Sequence, residues 1–135
     1  MDKAKAQQHI QQNLASGDSL VGFFYTIQPY KSWLFLFLGP LAALSMKYYF
    51  VAVTQAGITF HRMNMLGKFA EADRFAYADI SSIKIGKGLL QRPMLLAFKN
   101  GRKLKIKAQL RGVDKVAKLT DDVQRYIESH IAVAK

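Results

Sequence analysis

The chain has 135 residues, no cysteine and a formal net charge of +11. Its length suits one domain with a working core, and an apolar half excludes the disordered class. Without cysteine, disulfide staples and thiolate metal sites are excluded and a reducing cytoplasm fits, while the positive charge argues for an anionic partner, nucleic acid or an anionic membrane surface.

The polar opening residues lack the apolar stretch of a secretory signal. Residues 1–16 read as a short helix, with Ala6, Ile10 and Leu14 at four-residue spacing and Gly17 as its stop. Residues 20–28, rich in Val, Phe, Tyr, Thr and Ile, favour a strand that Pro29 ends. Residues 29–46 then form an apolar insertion whose only charge is Lys31, with Lys47 following it. Gly39-Pro40 interrupts the insertion, and the uncharged run falls short of the roughly twenty apolar residues that a helical crossing needs.

From Lys47 onward the pattern is that of strands, at about 47–54, 58–64, 69–77, 80–86, 93–99 and 102–108. Gln55-Ala56-Gly57 marks the first turn among them. Asn100-Gly101 supplies two positive-φ positions, which predicts a two-residue type I′ hairpin loop. That register sets Phe98, Leu96 and Met94 opposite Lys103, Lys105 and Lys107 on an outward face, with Leu95, Ala97, Leu104 and Ile106 turned to the core. Residues 112–132 close the chain as an amphipathic helix carrying Val113, Val116, Val123, Ile127 and Ile131 on one stripe. No linker or internal repeat divides the chain, so one domain spans residues 1–135.

The strand count and the closing helix are the arrangement of the pleckstrin-homology (PH) fold. Tyr48-Tyr-Phe-Val-Ala-Val-Thr54, Gly57-Ile-Thr-Phe60, Tyr77-Ala-Asp79-Ile80 and Gly88-Leu-Leu90 resemble the core of bacterial PH-like domains over roughly residues 47–132. The resemblance implies an α+β, mainly β class: a barrel of about seven antiparallel strands in two sheets, capped by the C-terminal helix. The N-terminal helix and the insertion between the first two strands are additions to it. It also implies oligomer formation, which bacterial PH-like domains are known for.

Local signs of catalysis are weak. His9, His61 and His130 have no metal-ligand spacing and read as surface or capping side chains. Glu71 and Asp73 share a strand face but sit beside Arg74 with no nucleophile, and read as a solvated edge. Asp79 reads as a turn cap. Gly86 and Gly88 match only a fragment of a phosphate loop. Neither a cofactor, a metal nor a small-molecule substrate is inferred, and the chain does not read as an enzyme.

Two surfaces carry the functional reading. Residues 80–113 hold nine basic residues and no acidic one, and the anion-binding candidates among them are Lys99, Arg102, Lys103, Lys105, Lys107 and Arg111. A solvated, lysine-protected edge strand is the plainer reading of the same residues. The second surface is the insertion: Trp33, Leu34, Phe35, Leu36, Phe37, Leu38, Leu41 and Leu44 form core, a subunit interface or a membrane contact. Together these describe a non-enzymatic, self-associating binding or assembly module in the cytoplasm, its basic face meeting membrane headgroups or an acidic protein. The rivals are a basic nucleic-acid binder, for which the near-neutral C-terminal helix is a poor groove reader, and a small membrane protein embedded through residues 33–53.

Overall fold

The computed structural model describes residues 3–28, 47–63, 68–88, 91–109 and 118–134, excepting the side chains of Lys47 and Glu71. The insertion at 29–46, with all eight of its candidate contact residues, and Arg111 lie outside the described residues.

The helix α1 spans Lys3–Gln12. It ends four residues before the expected limit because Asn13 turns back, its Nδ2 donating to the His9 carbonyl at 2.8 Å. Leu14 therefore falls beyond the helical stripe, which buries Ala6 and Ile10. The strands are β1 (Leu20–Gln28), β2 (Lys47–Thr54), β3 (Gly57–Met63), β4 (Phe69–Ala76), β5 (Ile80–Ile85), β6 (Gln91–Phe98) and β7 (Lys103–Gln109). A 3₁₀ turn, Tyr77–Asp79, joins β4 to β5, and the helix α2 spans Asp121–His130. Residues 118–120, expected to be helical, are not, because Thr120 caps α2: its hydroxyl accepts a hydrogen bond from Val123 N at 3.3 Å.

All neighbouring strands are antiparallel and belong to one sheet in the order β4-β3-β2-β1-β7-β6-β5, instead of the two sheets expected. Among the described residues β1 meets β7 through Thr26↔Ala108 and Ile27↔Lys107.

On one face of this sheet, Phe24, Val51, Val53, Ile58 and Phe60 join Ile83, Met94, Leu96 and Ile106 beneath Val123 and Ile127 of α2. Phe75 of β4 reaches Phe98 of β6 at 4.5 Å between ring centroids, so the sheet curls until distant strands touch. The opposite face carries a second cluster, in which Ala6 and Ile10 of α1 cover Phe50, Ala52 and Met63. Beyond α2 the chain pairs with the outer edge of β5: Ile83 N donates to Ala132 O at 2.9 Å, and Ala134 N donates to Ile83 O at 2.8 Å.

Residues 47–53, assigned by the membrane-embedded alternative to the bilayer, are β2. They are hydrogen-bonded on both sides, between β1 and β3, with protein against both faces. Among the described residues no helix is long and apolar enough to cross a membrane.

Candidate functional site

The hairpin of β6 and β7 forms where Asn100-Gly101 is placed, but with a different turn. Only Gly101 has positive φ, at 89°, and Asn100 does not. Gly101 N donates to Phe98 O at 3.0 Å and Phe98 N to Arg102 O at 2.9 Å, which closes a three-residue loop with glycine in the left-handed position. The Asn100 side chain stays useful to the turn, its Oδ1 accepting from Arg102 N at 2.9 Å.

The longer loop shifts the register by one residue, giving Ala97↔Lys103, Leu95↔Lys105 and Pro93↔Lys107. A one-residue shift turns every side chain of the strand over. Met94, Leu96 and Phe98 are therefore in the core, and the expected aromatic and aliphatic partners of the lysines are Ala97, Leu95 and Pro93. The physical reason is burial. The observed register buries Phe98, Leu96 and Met94 where the expected one would bury Leu95 and Ala97, a gain of one or two large side chains at ~1.5–3 kcal/mol each.

Extended across β5, the outward face is a small lattice. Ser82, Ala97 and Lys103 form one row; Lys84, Leu95 and Lys105 form the next. Gly86, whose N donates to Pro93 O at 2.8 Å, completes a third row with Pro93 and Lys107. An apolar stripe along β6 thus runs between lysines on both neighbouring strands. The last two rows enclose a groove of about 320 Å³, with Lys84, Lys105 and Lys107 over Leu95 and Pro93. Gly86 lets the Pro93 ring pack over it, because a Cβ there would stand 2.7 Å from Pro93 Cγ.

Among the described residues no acid forms an ion pair with a lysine of this face. The ion pairs among the described residues are Arg92–Asp121 at 3.6 Å and Arg125–Asp122 at 2.6 Å, both involving α2. Arg92 is thereby turned away from the lysines, its guanidinium also donating to Gln124. The hairpin tip is less purely cationic than the lattice. Arg102 and Lys103 line a second cleft of about 390 Å³ with Asp73, over Phe75 and Phe98.

Of the sequence candidates, Lys103, Lys105 and Lys107 share the outward row of β7, and Lys99 and Arg102 stand at the loop that begins it. Lys84, Gly86, Pro93 and Leu95 were missed as site residues. A three-residue reading of the Asn100-Gly101 loop was the signal that could have found Leu95 and Pro93. The face lies beside the roots of the insertion, since Gln28 pairs with Lys47 and the adjacent Ile27 with Lys107. It is also the sheet face that α1 covers over β2 to β4.

The histidines depart from expectation in one case. His61 is 2% exposed and lies at the α1 interface, its ring 5.4 Å from that of His9, which stacks on Phe69 at 3.8 Å. Burial first, then the charges of His9 and Arg74, lower the His61 pKa to about 4. Its Nδ1 has no hydrogen-bond partner among the described residues. His130 does sit at a helix end, its Nδ1 2.8 Å from Tyr126 O. Among the described residues no group of three or more His, Asp or Glu could hold a metal ion.

The fold is mainly β, an antiparallel sheet closed by a C-terminal helix, and is compatible with a PH-like architecture. The hSac2 domain from human phosphoinositide phosphatase Sac2 shares this fold: the two align with a TM-score of 0.58 over 98% of this chain and 87% of that one, at 14% identity. No family model and no curated protein matches the sequence.

Proposed function

We propose that the chain is a non-enzymatic binding module of the bacterial PH-like kind, its curled sheet serving as the family's barrel. Its outward β5–β7 face would rest on an anionic membrane surface. The observation that supports this most directly is the lattice of Lys84, Lys103, Lys105 and Lys107 around an apolar stripe, with no ion-pair partner among the described residues. Lysine stems can lie along such a stripe while their ammonium groups reach headgroups. A nucleic-acid role is less well served, because single-strand binders stack bases on exposed aromatic rings. The rows hold none, and Phe98 is buried.

Self-association belongs to the same proposal, through the apolar residues of the insertion. Both parts are tested by sedimentation with vesicles and by light scattering. The wild type should sediment with vesicles containing phosphatidylglycerol and not with phosphatidylcholine alone. Changing Lys103, Lys105 and Lys107 to glutamate should abolish this binding, and unchanged binding would remove the proposal. A monomeric mass at all concentrations would remove the self-association part.

A further inference from the structure

Resting on that reading, we infer that the groove bounded by Lys84, Gly86, Pro93, Leu95, Lys105 and Lys107 is a site for one anionic phospholipid: its phosphate lies between the lysines, and its glycerol and first acyl carbons lie on Leu95 and Pro93.

The register makes the argument. Lys84, Leu95 and Lys105 are successive partners across three strands, so the two lysines flank one leucine at about 10 Å between their Cα atoms. Lys107 stands one row away beside Pro93, and the corresponding position just past β5 is Gly86, which has no side chain. Three ammonium groups thus border one apolar floor, which the Pro93 ring closes over Gly86 at one corner. A solvated surface of lysines would not need that floor, and an apolar docking surface would not need three cations. Both together match the chemistry of a molecule that carries an anion next to hydrocarbon. The volume of about 320 Å³ fits a headgroup phosphate and the start of a chain, at the lower end of small-ligand sites, which run roughly 300–1,000 Å³.

The test uses the whole chain and soluble dihexanoyl phosphatidylglycerol, with dihexanoyl phosphatidylcholine and inorganic phosphate as comparison ligands. Binding is read by calorimetry or by amide shifts at Lys84, Leu95 and Lys107. The anionic lipid should bind tighter than either comparison ligand. Leu95→Trp, which fills the groove and keeps every charge, should weaken that binding about tenfold or more. Lys105→Met with Lys107→Met should do the same, and serves alone if the tryptophan variant does not fold. Three results would overturn the inference: inorganic phosphate binding equally well, Leu95→Trp binding unchanged, or soluble lipid binding only after Trp33, Phe35 and Phe37 are changed to serine. The last would mean that the insertion itself occupies the groove. A wild type that sediments with anionic vesicles yet ignores the soluble lipid sinks the groove alone. One that binds neither sinks the membrane reading with it.

Discussion

The His61 imidazole is enclosed by side chains from two elements distant in sequence. His9 and Phe69 border it, and the Arg74 guanidinium, which donates to the Asn13 carbonyl, adds a positive charge nearby. A proton on this ring would be buried beside positive charge, so the folded state holds the pKa near 4 against 6.5 when unfolded. Between those values the unfolded chain binds more protons than the folded one. Stability is therefore full above pH 6.5 and is lost as pH falls toward 4, by up to about 3 kcal/mol. His9, also lowered by burial, acts in the same direction. Urea midpoints should be flat from pH 8 to 7 and fall from 6.5 to 5, a range above most carboxylate titration. His61→Phe should flatten that fall; a variant that keeps the wild-type slope would mean that the ring is not the cause. The chain could be read as far as three histidines without metal spacing. That one of them lies under α1 depends on the packing of a helix on a distant strand, which no local pattern encodes.

At the scale of elements, strand positions were legible and register was not. The limits of β1 and β2 coincide with those read from composition, and the other five strands lie within two residues of theirs. Alternating apolar residues and turn residues are local signals, so they survive without tertiary information. Register depends on turn geometry, and Asn-Gly serves both a two-residue and a three-residue loop. Gly101→Ala should cost about 1–2 kcal/mol, since the residue must remain left-handed. Asn100→Ala should cost less, through the single bond to Arg102 N. A thermal melt of both variants checks the order, and equal losses would argue against this turn. At α2, Thr120→Ala removes the cap on Val123 N and should lower stability by about 1 kcal/mol. An unchanged midpoint would place the stability of α2 in the burial of Val123 and Ile127 alone.

Across the whole molecule, charge is segregated in space as well as in sequence. The lysine rows occupy the outward face of β5–β7, and the acids Asp121, Asp122 and Glu128 belong to α2, which packs across the opposite face. Binding to anionic vesicles should weaken steeply from 0.05 to 0.3 M salt, because exposed charges are screened over about 8 Å at physiological ionic strength. Lys118→Glu, a charge reversal at the foot of α2, should leave binding within about twofold, whereas Lys105→Glu on the face should reduce it much further. Equal effects of the two reversals would point to net charge alone instead of a face.

The residue order by itself determined the positions of the seven described strands, the closing helix, the excess of positive charge and its concentration in residues 80–113. Each of these is written in short-range periodicity or in composition. The tertiary structure alone decided which side chains stand among the lysines, because the core selected the β6 face with Met94, Leu96 and Phe98 for burial. It also decided that Gly86, Leu95 and Lys105 border one groove and that His9 meets His61. Burial is summed over the whole fold, so a single residue of register, invisible in local pattern, chose the face that the protein presents.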